Sequence, residues 1–129
     1  MKKILVIDDD RLLLKALENS LQELGYVTYT ATNGEEAVER FSNNKMDLVI
    51  CDLMMPKMSG ISFICELIYN FESTIPVILI SSFRSGKQIA DDSDYKNIVF
   101  LPKPFSFHQM SDTVKKLIAW KMQTVLELA

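Results

Sequence analysis

Four short stretches of the chain are apolar with no polar alternation: Ile4-Leu5-Val6-Ile7, Leu48-Val49-Ile50-Cys51, Val77-Ile78-Leu79-Ile80 and Ile98-Val99-Phe100-Leu101. Unbroken runs of this length read as strands covered on both faces, which is the habit of a parallel sheet. Val27–Ala31 is β-branched or aromatic and alternates only weakly, so it predicts a fifth strand nearer the sheet edge. Between the strands the apolar spacing changes to three and four. Leu13, Leu14, Leu17, Leu21 and Leu24 predict a helix from Arg11 that stops at Gly25. Asn33 and Glu36 form a cap pair for a second helix carrying Ala37, Val38 and Phe41 on one face. Ile61, Ile64, Cys65 and Ile68 give the stripe of a third.

The segment from Gly86 to Tyr95 predicts a fourth helix, short or frayed because Asp91, Asp92, Ser93 and Asp94 are poor helix formers. Ser106 and Gln109 open a final helix as a capping box. Its apolar positions, Met110, Val114, Leu117, Ile118, Met122, Val125 and Leu126, carry it from about residue 106 to 128. A helix of that length reads equally as a long packing helix or as one that signals to another domain or meets a second copy. Five strands alternating with five helices predict a doubly wound parallel α/β sheet within a single domain spanning 1–129.

Composition narrows the field by exclusion. At 129 residues with 48% hydrophobic content the chain can bury one core, and its formal net charge of −3 gives no general attraction to nucleic acid or to an anionic membrane. Lys115, Lys116 and Lys121 read as a solvated helix face. No apolar run approaches the ~20 residues of a membrane helix, and the short hydrophobic stretch after Lys2-Lys3 ends in three aspartates, unlike a signal peptide. Cys51 and Cys65 lack metal or redox spacing and read as buried reduced thiols of a cytoplasmic protein. His108 and Trp120 read as surface or packing residues of the last helix.

The pointed chemistry sits where the strands end. Asp8 and Asp9 follow the first strand, Asp52 the third, Ser81 the fourth and Lys103 the fifth. In an open α/β sheet those ends share one rim, where ligands are held. Three carboxylates brought together repel, and burial would make one keep its proton unless a cation were supplied. Mg²⁺ suits such an incomplete oxygen cage, keeps waters and meets phosphoryl oxygens. Lys103 adds a positive charge and Ser81 a hydroxyl donor. The arrangement points to phosphoryl transfer onto Asp52 as nucleophile, with Asp9 a direct metal ligand and Asp8 a ligand directly or through water.

On these residues the chain resembles the receiver domain of two-component response regulators. The acidic pair after the first strand is met by Asp8 and Asp9, and the phosphoacceptor loop by Asp52, Met55, Pro56, Met58 and Gly60. Ser81 stands at the Ser/Thr switch position and Lys103-Pro104-Phe105 matches the lysine-proline motif, the resemblance covering residues 3 to 121. It implies a flavodoxin-like sheet of order 2-1-3-4-5. It implies Mg²⁺ held by Asp8, Asp9, Asp52 and the main-chain carbonyl of Met54, and a cis bond before Pro104. The phosphodonor would be a sensor histidine kinase or a histidine phosphotransfer protein. Ser81 would swing toward the phosphoryl group and Phe100 would move inward, altering a surface made by the fourth helix, fifth strand and fifth helix. A homodimer stays open, as does an output domain or target outside this chain. The aspartate-rich fourth helix departs from the family pattern. Met54 and Phe83, which flank the phosphoryl position in the family, are apolar here, so a long-lived aspartyl phosphate is expected.

Three rival readings fall on the same residues. A haloacid-dehalogenase phosphatase would need Asp-x-Asp-x-Thr after the first strand, and Asp8, Asp10 and Leu12 lack the threonine. A flavodoxin-like mononucleotide binder would need a first loop that welcomes phosphate, where three aspartates repel one. A phosphorylation-independent interaction module remains the alternative, against which the intact acids, serine and lysine speak.

Overall fold

The computed structural model describes residues 1–55 and 58–128, with side chains as far as Trp120. Pro56 of the acceptor loop lies outside the described residues, as do the side chains of Lys121, Met122, Val125 and Leu126. The elements run β1 (Lys3–Ile7), α1 (Arg11–Glu23), β2 (Val27–Ala31), α2 (Gly34–Asn43), β3 (Leu48–Asp52), α3 (Gly60–Tyr69), β4 (Val77–Ser81), α4 (Gly86–Asp92), β5 (Ile98–Pro102) and α5 (Phe107–Leu128). All strands are parallel, as the sequence pattern predicts, and lie in the order β2-β1-β3-β4-β5, as the resemblance implies.

Alternate residues of the central strands face two separate cores. Ile4, Val6, Leu48, Ile50, Ile78 and Ile80 meet α1 and α5 through Leu14, Leu17, Leu21, Met110 and Val114. Leu5, Ile7, Val49, Cys51, Val77 and Leu79 meet α2, α3 and α4 through Ala37, Phe63, Leu67 and Ala90. Phe41 of α2 stacks edge-on against Phe63 of α3 with ring centroids 6.2 Å apart. Every residue of β3 and β4 is buried, which explains their lack of alternation.

Local signals start and stop the helices. Asp10 accepts from the amides of Leu12 and Leu13 and so caps α1, and Gly25, at φ +94, ends the turn that follows it. Asn33 accepts from the Glu36 amide at the start of α2, while Glu36 reaches back to the Thr32 amide. Ser106 and Gln109 exchange side-chain-to-backbone hydrogen bonds of 2.8 and 3.0 Å before α5.

Four expectations need correction. Leu24 is the C-cap of α1 and exposed, because the chain has already left the core-facing stripe. β5 is only half-buried, being an edge strand with no strand on its far side. The inward face of α3 is Phe63, Ile64 and Leu67, while Ile61 and Cys65 face outward. Cys65 is therefore an exposed thiol, and only Cys51 is buried.

Candidate functional site

Parallel register alone delivers the polar residues to one rim. Ile7 pairs with Cys51, Asp52 with Ile80, and Ser81 with Pro102, so the next residue of each strand emerges at the same level. One carboxylate oxygen from each of Asp8, Asp9 and Asp52 lies within 4.8 Å of the others. Lys103 reaches across them, its Nζ 2.8 Å from Asp8 Oδ2 and 3.6 Å from Asp52 Oδ1. The other oxygen of Asp8, which is fully buried, accepts from the Asp10 amide at 2.9 Å. Both oxygens of that carboxylate are therefore fixed in direction.

The remaining predicted residues surround this cluster. Ser81 is buried at the end of β4, its hydroxyl accepting from the Phe83 amide at 3.0 Å. Its carbonyl accepts from the Lys103 amide at 2.8 Å, which ties β4 to the lysine loop, and the Lys103–Pro104 peptide bond is cis. The Met54 amide donates to the Asp52 carboxylate, and its side chain is 55% exposed, close to the 50% of Phe83. Phe100 lies half-buried on β5, against the core that α3 and α4 share.

Charge and burial act against each other here. Burial first, and the charge of Asp8 second, push the Asp52 carboxyl up to about 6 despite the opposing pull of Lys103. Burial would lower the Lys103 ammonium, but its hydrogen bond to Asp8 and the charges of Asp8 and Asp52 outweigh that and hold it above its ordinary value. Burial beside Asp52 and Asp8 also drives the Cys51 thiol upward, so it stays protonated and inert. Three acids facing one lysine leave an excess of negative charge. Asp8, Asp9 and Asp52 could hold a hard divalent cation, whose oxygen preference this donor set meets.

Glycines whose importance rests on close approach carry no local signal in the sequence. A Cβ on Gly60 would lie 2.4 Å from the Asp52 carbonyl oxygen and 2.9 Å from the Leu53 Cα, both backbone atoms that cannot swing aside. The Gly60 amide donates to the Leu53 carbonyl at 2.9 Å, so the start of α3 is pinned to the end of β3. Gly60→Ala is expected to cost about 1–3 kcal/mol through overpacking and to displace Asp52. Urea unfolding checks this, and an unchanged midpoint would reject it. Gly86 is the second case: a Cβ there would lie 2.4 Å from Cε2 of Phe100. Asp10, outside the motif set, caps α1 and fixes Asp8 through its own amide. Its place just before a helical repeat was the available signal.

Comparison with known proteins agrees with this geometry. The response regulator receiver domain family model matches residues 4–115. The response regulator MprA of Mycobacterium sp. (strain KMS) is 30% identical over 116 residues, covering 90% of this chain and 50% of MprA. The chain spans about half the length of the curated relatives it matches. Among solved structures, a Francisella response regulator receiver domain is 30% identical with a TM-score of 0.80, covering 94% of this chain and 99% of its own. The response regulator TrrA of Thermotoga maritima, determined in complex with Mg²⁺-BeF, is 35% identical with a TM-score of 0.77, covering 91% and 99%. Fold, motif set and family match coincide over the same residues, and the chain belongs to the receiver domains of two-component response regulators.

Proposed function

We propose that residues 1–129 act as one receiver domain that accepts a phosphoryl group on Asp52 from a sensor histidine kinase or a histidine phosphotransfer protein. The observation that carries this reading is the convergence of Asp8, Asp9 and Asp52 with Lys103 bridging two of them. Asp8, Asp9, Asp52 and the main-chain carbonyl of Met54 would hold Mg²⁺. When bound, the ion neutralises charge on the acids and on the transferred group.

In the transfer, an Asp52 carboxylate oxygen attacks phosphorus in line while the bond from phosphorus to the donor imidazole nitrogen breaks; the electron pair stays on that nitrogen and, with the ring's other nitrogen carrying a proton, a neutral imidazole leaves. Lys103, already within 3.6 Å of Asp52, balances the added charge. Ser81 turns its hydroxyl toward the new oxygens, giving up the Phe83 amide it now receives. Phe100 follows inward, and the surface of α4, β5 and α5 carries the change to an output domain or target, or to a second copy. The chain catalyses only its own phosphoryl transfer and slow loss. The proposed setting is cytoplasmic, where a kinase donor would meet it; among the described residues no helix is long and apolar enough to cross a membrane.

The test is incubation with acetyl phosphate and Mg²⁺ followed by mass spectrometry. One phosphoryl unit on the peptide containing Asp52, prevented by EDTA, is expected. No addition would overturn the reading, and rapid turnover of excess donor to free phosphate would favour a phosphatase. Met54 and Phe83 offer no side-chain group that could orient an attacking water. Exchanging both for glutamine or glutamate is expected to speed phosphate loss roughly tenfold or more. An unchanged decay rate would show that these positions do not set the lifetime.

A further inference from the structure

α3 is apolar on two sides, which a helix lying on a domain surface seldom is. Its core-facing residues are buried, yet Ile61, Cys65 and Tyr69, spaced four apart on the outer side, are exposed, Ile61 at 44% and Tyr69 at 69%. Glu66 is the one charged residue among its ten. This outer stripe borders a groove of about 310 Å³ between α3 and α4, floored by Ile68 and Ile89 and edged by Asp92 and Asp94. Among the described residues neither aspartate has a cation partner: Asp92 accepts from the Gln88 side-chain amide at 2.9 Å, while Lys87 is engaged by Asp91. The groove therefore joins an apolar floor to an uncompensated negative edge.

We infer that the groove between α3 and α4 is a docking site for a basic amphipathic helix of another protein. Apolar side chains of that helix at i and i+4 spacing seat on Ile61, Cys65 and Tyr69, and its lysines or arginines meet Asp92 and Asp94. Charge selects this occupant. A second copy docked about a two-fold axis would set the same acidic edge against itself, and an anionic membrane would be repelled by it. The site does not depend on Asp52 chemistry, so failure of phosphoryl labelling leaves it standing.

The test titrates the isotope-labelled chain with two synthetic helices of roughly 15 residues. They share a leucine stripe and carry either lysine or glutamate on the polar face. The lysine helix is expected to shift amide signals concentrated in α3 and α4, with binding at least tenfold tighter than the glutamate helix and weakened by salt. Tyr69→Glu with Ile61→Glu, both at exposed positions, should abolish those shifts while the rest of the spectrum is retained. Asp92→Lys with Asp94→Lys should reverse the preference between the helices. Equal binding of both helices, shifts centred on another surface, or no binding would overturn the inference. So would concentration-dependent self-association of the free chain that Tyr69→Glu removes, because the occupant would then be a second copy.

Discussion

An Asp52→Asn chain takes up no phosphoryl group from acetyl phosphate and Mg²⁺, yet in metal-free buffer at pH 7 it is more stable than its parent. Both effects follow from one carboxylate. An amide oxygen is too weak a nucleophile to form the acyl phosphate, while its shape leaves the surrounding packing in place. The parent carboxyl, raised by burial and by Asp8 from 3.8 to about 6, is favoured in the folded state only while protonated. That stability is present below pH 4 and is lost as pH rises through about 6, the loss reaching at most about 3 kcal/mol by pH 7. The asparagine chain escapes the loss. Urea denaturation across this range should find the two chains diverging from pH 4 upward and parallel above pH 7. Labelling of the variant at an aspartate as readily as the parent would refute the assignment of Asp52.

Lys103→Met is expected to destabilise the metal-free chain by about 2–3 kcal/mol, at and below the low end of the range for breaking a buried ion pair, since the lysine side chain keeps 23% exposure. Removing the ammonium leaves the fully buried Asp8 facing Asp52 with no positive charge at 2.8 or 3.6 Å. Added Mg²⁺ should recover more stability in the variant than in the parent, because it meets a larger uncompensated charge. Phosphoryl uptake should fall about 100-fold, the scale of losing one preorganised charge that stabilises a transferring group. Equal denaturation midpoints for variant and parent without metal would show that the lysine does not hold these acids together.

How far the fold could be read from residues differs by region. β3 and β4 are buried along their whole length, so their apolar runs carried the topology and placed the rim that bears Asp52 and Ser81. α3 was harder. With apolar residues on both sides, periodicity alone could not say which stripe faces inward, and the contact of Gly60 with the Asp52 carbonyl settles that rotation only in three dimensions. β5 resembles the central strands in composition, yet it stands at the sheet edge with no strand beyond it, a place its residues do not announce. Gly86 was equally silent, since its constraint is the ring of Phe100, a residue fourteen positions away.

The ion pair between Asp8 and Lys103 spans 95 positions of the chain. β1 and β3 supply the acids from the middle of the sheet, and their mutual repulsion is eased only by the lysine that follows β5 at its edge. The one positive charge facing these acids among the described residues is therefore held by the edge strand. Peeling β5 from the edge would dismantle the pocket while the middle of the sheet stayed intact.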